Sequence, residues 1–144
     1  MHVGSKLVVE TVKQIEQNKV KMFKQPEIDE KPAPKIYSET CKINWNDSLN
    51  NIYNLIRGLN PYPAAWATLI NNNDEIKVKI YDITKIVEAH NYKIGTIITS
   101  KDEIKVAVKK GFIKINSLQL SGKRRMDTKS LLNGFTFYEN TVMQ

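Results

Sequence analysis

Cysteine is almost absent from this sequence, since Cys41 is the only one among 144 residues. An internal disulfide is therefore excluded, and the low cysteine usage fits a reducing compartment. Long apolar runs are absent too, because none approaches the roughly 20 residues that a membrane-spanning helix needs. The sequence also does not open with a signal-peptide pattern. We therefore expect a cytoplasmic protein without a membrane partner.

The residues that carry metal or acid–base chemistry are few and scattered. His2, Cys41 and His90 show no metal-ligand spacing, so each is interpreted as a surface or packing residue. Acid, histidine and nucleophile candidates do not cluster, and no glycine-rich phosphate loop occurs. The sequence therefore predicts no catalytic residue, no cofactor-binding residue and no metal site in this chain.

Positive charge, in contrast, is in excess and unevenly placed. The chain has 22 Lys and Arg residues against 15 Asp and Glu residues, a formal net charge of +7. Residues 41–144 hold 15 of the basic and 9 of the acidic residues. This balance favours an anionic partner such as nucleic acid, although an ordinary soluble surface explains it equally well. With 41% hydrophobic residues, the chain has enough apolar surface for one core of moderate size.

The first 40 residues predict a helix and a linker. Apolar residues recur at helical spacing between Val3 and Ile15 and form one stripe. This amphipathic helix packs either on its own domain or on a sheet that lies outside this sequence. Residues 19–40 contain three prolines, many charges and no sustained period, which predicts a linker. We therefore divide the chain into a helix over 1–18, a linker over 19–40 and a domain over 41–144.

A helix and a rigid corner open this domain. Asn46 or Asp47 is predicted to cap a helix over residues 49–56, and Gly58 is predicted to stop it just past its end. The corner is the segment 56–66, IRGLNPYPAAW. Its prolines forbid both helix continuation and pairing inside a sheet, so the next strand starts from a fixed shape with a tryptophan in the core. The corner residues are Asn60, Pro61, Pro63 and Trp66, and Arg57 is placed to bond the last helix carbonyls.

Five further segments have the pattern of short strands bounded by turn residues. In Ile76–Tyr81, for example, one face is apolar and the other carries lysines. A bulge or bend is predicted near Asn116 and Ser117, where the apolar alternation falls out of phase. Five strands with one bracing helix predict a mainly β fold, a small Greek-key barrel of the oligonucleotide-binding (OB) type, although periodicity alone also allows another small barrel. The predicted strands are Ala65–Leu69, Glu75–Val87, Gly95–Ser100, Glu103–Val108 and Phe112–Leu120.

Two groups of basic residues are candidates for binding an anion. Three adjacent cations follow Gly122, and at least two of them must point to solvent whatever the local structure. Adjacent cations repel each other, which favours a nearby anion, and arginine can hold phosphate through two parallel hydrogen bonds. Met126 is predicted to pin this loop to the barrel. The loop cations are Lys123, Arg124 and Arg125, and the strand lysines on outward positions are Lys77, Lys79, Lys105 and Lys114.

Three stretches of the chain resemble one family. The corner IRGLNPYPAAW is similar to the C-terminal domain of the methionyl-tRNA formyltransferase family, where an Ile-Arg pair at a helix end precedes a proline–aromatic–proline turn and a tryptophan. The run LQLSGKRRMDTKSLLNG over 118–134 resembles the closing motif of that domain, and KINW over 42–45 resembles its entry. The matching residues are Trp45, Arg57, Gly58, Asn60, Pro61, Pro63, Trp66, Gly122 and Met126.

The resemblance implies what this chain does. The family enzyme transfers a formyl group from 10-formyltetrahydrofolate to the amino group of methionyl initiator tRNA in translation initiation. Its Asn-His-Asp catalytic residues have no counterpart here, so residues 41–144 would bind tRNA without catalysis. Helix 1–18 would close the absent N-terminal catalytic domain, and residues 19–40 would join the two domains. The tRNA-binding candidates are Lys35, Lys77, Lys79, Lys105, Lys109, Lys110, Lys123, Arg124 and Arg125.

Two other functions remain open on the sequence alone. The domain could brace another enzyme that uses 10-formyltetrahydrofolate, such as a small-molecule formyltransferase or a formyl-folate dehydrogenase or hydrolase. It could also be a free-standing OB-type module that binds single strands through exposed aromatic residues, for which Tyr81 and Tyr92 are candidates. The chain departs from the family pattern in its turns at Ala64, Lys93–Gly95 and Lys109–Gly111.

Overall fold

A computed structural model of the protein describes residues 2–24, 27 and 33–144. The predicted linker residues 25, 26 and 28–32 lie outside the described residues. Contacts divide the chain into two units, residues 1–34 and 35–144. The second unit begins earlier than the predicted domain start at residue 41, and it includes a short 3-10 turn at Glu39–Cys41. The interpretation of residues 1–18, 19–40 and 41–144 as three functional segments stays a prediction.

The first unit contains the predicted amphipathic helix, α1, over His2–Glu16. None of its residues is buried, and its large apolar side chains from Val3 to Ile15 are between 48% and 83% exposed. A helix of this length is marginal in water without an apolar face to pack on. No helix in the described part of the chain is both long and apolar enough to span a membrane.

Helix α2 spans Leu49–Leu59 and differs from its prediction at both ends. Its N-cap is Ser48 rather than Asn46 or Asp47, because the Ser48 hydroxyl accepts a hydrogen bond from the Asn51 amide at 3.1 Å.

At the other end, Gly58 lies inside helix α2 and does not stop it. The helix continues through Leu59 because that side chain is buried in the core, and the extended residue Asn60 ends it. Arg57 lies in the last turn, as predicted, where its charge complements the helix dipole.

The second unit is built mainly from antiparallel strands, among which the five predicted strands are all present. The predicted strand Gly95–Ser100 is shorter than expected, and two strands of two residues each were not predicted, because so short a run shows no alternation. In the described residues the strands are β1 (Ala65–Asn71), β2 (Asp74–Ile86), β3 (Ile97–Thr99), β4 (Ile104–Val108), β5 (Gly111–Leu120), β6 (Met126–Asp127) and β7 (Val142–Met143), with a short helix, α3 (Thr128–Leu132), after β6.

The strands form a nearly closed barrel, which confirms the predicted fold class. Their order is β3-β4-β5-β2-β1-β7, with β6 paired to β5. Strand β2 lies beside β5 instead of the next strand along the chain, which is the Greek-key arrangement. The two ends of the sheet meet where Thr96 pairs with Val142 and the Ile97 amide donates to the Thr141 carbonyl at 3.2 Å. Closure leaves few unpaired strand edges.

The core lies between this barrel and α2. Helix α2 packs mainly on β2 and β5 through Leu49, Ile52, Ile56 and Leu59. Each fully buried isoleucine or leucine contributes roughly 1.5–3 kcal/mol relative to exposure. Trp45 is buried at the domain entry. Met126 packs the chain after the loop against the core, as predicted, and Leu131 and Leu132 also contribute to this packing.

The pairing of β2 with β5 shifts twice, once between Ile80 and Asp82 and once between Asp82 and Ile83. Tyr81 on β2 and Asn116 on β5 are the residues left without a partner in this register. The predicted irregularity near Asn116 and Ser117 is therefore confirmed. It bends the two longest strands of the barrel and changes which residues face outward beyond it.

Asn71 joins the C-terminal segment to β1. Its buried side-chain amide donates to the Thr136 carbonyl at 2.9 Å, and its Oδ1 accepts from the Tyr138 amide and the Thr141 hydroxyl. A buried polar side chain that lost these partners would pay the full cost of desolvation. Asn71 therefore holds the segment that leads into β7.

Candidate nucleic-acid interface

Strand pairing brings polar side chains from three strands into one row on the outer face of the barrel. Along β1, Ala65 and Ala67 are buried and Trp66 between them is only half-buried. Trp66 lies opposite Lys79 of β2, which in turn lies opposite Gln119 of β5. Residues directly opposite on neighbouring strands project from the same face. The row therefore runs across β1, β2 and β5.

Trp66 was predicted to enter the core, and this prediction is wrong. Because side chains alternate along a strand, the buried residues on either side of Trp66 place its ring on the outer face. The indole Nε1–H donates to the Ser38 carbonyl at 2.8 Å. Lys77 Nζ lies 3.9 Å from the ring centroid and Lys42 Nζ lies 5.5 Å from it. The ring thus positions two lysines through cation–π contacts.

The loop Ser121–Arg125 leaves β5 beside this row. The Ser121 amide donates to the Lys77 carbonyl at 2.9 Å, which ties the start of the loop to β2. Gly122 has φ of +73°, in the left-handed region that favours glycine. The Lys123 amide then donates to the Leu120 carbonyl at 3.0 Å and closes the turn.

Side chains from β2 and β5 hold this loop in place. Gln119 accepts a hydrogen bond from the Tyr81 hydroxyl at 2.7 Å and donates from Nε2 to the Lys123 carbonyl at 2.8 Å. Arg125 Nε–H donates to the Ser117 hydroxyl at 2.9 Å, and its guanidinium carbon lies 4.4 Å from the Tyr81 ring centroid. Arg125 therefore has a structural role besides any contact with RNA, and it covers the ring that was predicted to be free for stacking.

Four cations on β2 and in the loop have no carboxylate partner in the described part of the chain. They are Lys77, Lys79, Lys123 and Arg124, which we call the basic surface. Lys123 and Arg124 are exposed and have no side-chain partner among the residues that the structure describes. A shallow groove of about 200 Å³ is lined by the two lysines, Gln119 and residues 120–122. No carboxylate lines this groove in the described part of the chain, so its charge is not neutralised locally.

The other strand lysines lie apart from the basic surface. Lys105 and Lys114 face each other across β4 and β5, and Glu103 forms ion pairs with both. Lys114 is five positions from Gln119 along β5, which corresponds to roughly 17 Å at the usual rise of a strand. Because like charges directly opposite each other are destabilising, Glu103 offsets the repulsion between these two lysines. Their contact with tRNA stays a prediction.

The remaining candidates lie at two further places. Lys109 and Lys110 form the turn between β4 and β5, with Lys110 at φ of +62°. Hydrogen bonds from the Ser48 amide and the Asn51 side chain lower the pKa of Asp47, and the positive charge of Lys109 lowers it further. Lys35 lies over the Tyr37 ring, with Nζ 5.4 Å from the centroid. The structure therefore does not bring all nine candidates into one surface.

Glu103 is expected to make the stability of the barrel depend on pH. Hydrogen bonds from Lys114 and Lys105 hold its pKa below the ordinary value of 4.5. A lowered pKa in the folded state means that the stabilisation is complete above the ordinary value and is lost as pH falls through the folded value. We expect Glu103→Gln to lower stability at neutral pH, because two opposed lysines lose their common partner, and to flatten the loss of stability below pH 4.5. Urea unfolding at neutral and acidic pH measures both effects.

The matched control is Glu88→Gln, which removes an exposed carboxylate that has no lysine partner in the described part of the chain. An acid dependence that is identical in wild type and Glu103→Gln would contradict the assignment.

His90 has a packing role, as predicted. Its Nδ1 accepts from the Tyr92 amide at 3.1 Å, so Nε2 carries the proton and donates to the carbonyls of Val108 and Gly111, each at 2.9 Å. The ring also stacks on Phe112, with centroids 4.4 Å apart. Cys41 is a buried free thiol. Among residues 2–24, 27 and 33–144, no three His, Cys, Asp or Glu side chains lie close enough to hold a metal ion.

Sequence reasoning missed the residues that shape this interface without carrying charge. Gln119 and Ser117 looked like ordinary polar strand residues, yet they orient the loop. The only signal was their place at alternate positions of β5 just before the cationic loop. Trp66 was recognised as part of a motif. Its outward position follows only from the start of β1 at Ala65, whose side chain faces the inside of the barrel.

A nearly closed antiparallel barrel with one bracing helix and a basic outer face defines a small OB-like domain suited to an anionic partner. The chain belongs to the family described as "Formyl transferase, C-terminal domain", whose model matches residues 35–136. The match covers the corner, strands β1 to β6 and the cationic loop.

Curated relatives extend the similarity beyond this domain. The chain is 49% identical over 138 residues to a methionyl-tRNA formyltransferase of Flavobacterium johnsoniae, covering 95% of this chain and 44% of that protein. It is 46% identical over 150 residues to the same enzyme of Bacteroides fragilis, covering 100% of this chain and 46% of that protein. The chain thus spans less than half the length of these relatives.

A solved structure with a similar fold is that of a HypX variant from Aquifex aeolicus. The TM-score is 0.62 at 17% sequence identity, with 92% of this chain and 24% of the HypX chain covered. At this identity the similarity shows the fold alone.

Proposed function

We propose that this chain is the tRNA-binding part of a methionyl-tRNA formyltransferase. The complete enzyme would transfer a formyl group from 10-formyltetrahydrofolate to the amino group of methionyl initiator tRNA in the cytoplasm. The observation that carries the proposal is the 49% identity to the Flavobacterium johnsoniae enzyme over 95% of this chain. The family's Asn-His-Asp catalytic residues have no counterpart in this sequence, so this part of the enzyme would act by binding and orientation alone.

The basic surface supports the binding role through its electrostatics. Lysine and arginine side chains that contact phosphates release condensed counterions, which makes RNA affinity strongly dependent on salt. Contacts to the phosphate backbone fix register and orientation and carry no sequence information. Bound tRNA would therefore be oriented by the cations on β2 and in the loop, while its aminoacyl end reaches an active site in the preceding domain.

Helix α1 fits the same proposal. Its apolar side chains are exposed along one stripe, and none of its residues is buried. In the complete enzyme this stripe would pack on the catalytic domain that the helix closes. Residues 19–40 would then join that domain to the barrel, where Lys35 begins the second unit.

Binding measurements with the 144-residue chain test the proposal directly. We expect initiator tRNA to bind with an affinity that falls steeply with salt, and to bind more tightly than an unstructured RNA of equal length. A monomeric protein of similar size and net charge serves as the control for unspecific attraction. If the chain binds tRNA no better than this control protein does, the alternative of a bracing domain in another formyl-folate enzyme is favoured instead.

A further inference from the structure

A second groove lies on the β1 side of Lys77 and Lys79, opposite the cationic loop. It has a volume of about 340 Å³, and the aromatic rings of Tyr37, Tyr62 and Trp66 line it together with the two lysines. We call it the aromatic groove. Pockets that hold small molecules have volumes of about 300–1,000 Å³. The groove is therefore large enough for a small planar group.

Two of the three aromatic side chains of this groove are largely exposed. Tyr62 is 86% exposed and Tyr37 is 58% exposed. In the part of the chain that the structure describes, neither ring stacks on another aromatic ring. A lone exposed aromatic residue is ordinary, but several that line one groove indicate a surface that is covered by a partner.

The backbone around these rings is fixed before any partner binds. Tyr62 lies between Pro61 and Pro63, each of which locks its own φ. The Thr40 hydroxyl donates to the Tyr37 carbonyl at 2.6 Å and accepts from the Tyr37 amide at 3.1 Å. Little backbone conformational entropy would be lost when these tyrosines bind a ligand, which favours affinity.

The charges around the groove indicate the chemistry of the partner. Lys77 Nζ lies over Trp66 at 3.9 Å, Lys42 lies over the same ring and Lys35 lies over Tyr37. No carboxylate lines the groove among the residues that the structure describes. Aromatic rings bordered by lysines fit a group that has a planar apolar face and carries negative charge at its edge. A nucleotide has this combination, whereas an apolar peptide segment has no negative charge to pair with the lysines.

We propose that the aromatic groove binds an unpaired nucleobase of the RNA. Tyr62 and Tyr37 provide the stacking surfaces, and Lys77 and Lys79 contact the phosphates next to that base. Lys77 and Lys79 line both grooves, so the same two lysines link the base to the backbone held by the loop. Stacking on aromatic side chains accepts any base, because every base has a π-face. This proposal for the groove depends on the proposed tRNA-binding function in one respect, the choice of RNA as the ligand.

The test compares two labelled probes of equal charge, an oligoadenylate of about six nucleotides and an abasic oligomer of the same length. We expect the wild-type chain to bind the oligoadenylate about tenfold more tightly than the abasic oligomer. Tyr62→Ala and Tyr37→Ala should each remove most of this difference and leave binding of the abasic oligomer unchanged. Tyr138→Ala, which removes a tyrosine that is 56% exposed outside the groove, is the matched control. Circular dichroism verifies that each variant is folded.

Equal binding of the two probes by the wild-type chain would overturn the proposal, and so would a base-dependent difference that survives in both folded tyrosine variants. The same samples titrated with initiator tRNA separate this proposal from the proposed function. If tRNA binds in a salt-dependent way but the oligoadenylate and the abasic oligomer bind equally, only the proposal for the aromatic groove is overturned. Base-dependent binding of the oligoadenylate, without preference for tRNA over an unstructured RNA, supports the groove and contradicts the tRNA-binding role.

Discussion

Replacing Gly111 with alanine is expected to destabilise the barrel by about 3 kcal/mol, a large part of the stability of a small domain. A Cβ atom at this position would lie 2.1 Å from the carbonyl oxygen of Ile86. Because that oxygen belongs to the backbone of β2, it cannot rotate away, and β5 must move instead. His90 Nε2–H donates to both the Val108 and the Gly111 carbonyl. The movement of β5 would also break its hydrogen bond to Gly111. Urea unfolding followed by circular dichroism measures the loss.

Gly58→Ala is the matched control for this prediction. Gly58 is exposed in the last turn of α2, and a Cβ atom there would meet nothing within 4 Å. Alanine in a helix is more stable than glycine by up to roughly 1 kcal/mol, so this variant should unfold at slightly higher urea than wild type. A Gly111→Ala protein with the same urea midpoint as wild type would show that β2 and β5 do not approach as closely as described.

Removing two cations of the basic surface is expected to weaken tRNA binding roughly tenfold and to lower the salt dependence. The change is made once in the loop, as Lys123→Ala with Arg124→Ala, and once on β2, as Lys77→Ala with Lys79→Ala. Each phosphate contact contributes about 0.9 to the slope of log affinity against log salt, or about 0.7 for single strands. In each double variant the slope should therefore decrease by the contribution of about two phosphate contacts. Fluorescence titrations with initiator tRNA at several salt concentrations measure both quantities.

The double variant Lys93→Ala with Lys101→Ala controls for net charge, because it removes two exposed lysines outside the basic surface. It should change the affinity and the slope much less than either test variant. Equal losses in all three variants would mean that tRNA responds to the net charge of the domain and not to these four residues.

Local patterns were sufficient for most of the fold. The alternation of Ile76, Val78 and Ile80 predicted β2, and the loss of phase near Asn116 and Ser117 predicted the bulge that the register confirms. The corner was recognised from its prolines. Its ends were predicted less well, because glycine marks a helix end only on average, and burial of Leu59 extends the helix through Gly58.

The candidate site was less predictable than the fold. Charge counting found Arg125 and Lys105 with the same ease as Lys123, although Arg125 lies over the Tyr81 ring and Lys105 forms an ion pair with Glu103. Exposed aromatic residues were expected at Tyr81 and Tyr92. Tyr92 is 53% exposed, whereas Arg125 covers the ring of Tyr81. The two exposed tyrosines that line one groove, Tyr37 and Tyr62, were not expected from the sequence.

The sequence by itself determined the class of fold, the excess of positive charge and the family, because alternation, turn residues and short motifs act over a few neighbouring positions. The tertiary structure decided which cations contact other side chains of the domain and which aromatic residues line the same groove. Such contacts depend on strand register and on barrel closure, which join residues as distant as Tyr81 and Gln119, 38 positions apart. Closure itself depends on β7, a strand too short to leave a pattern. Trp66 shows the difference best, since its motif is local but the face it occupies is set by the buried neighbours Ala65 and Ala67.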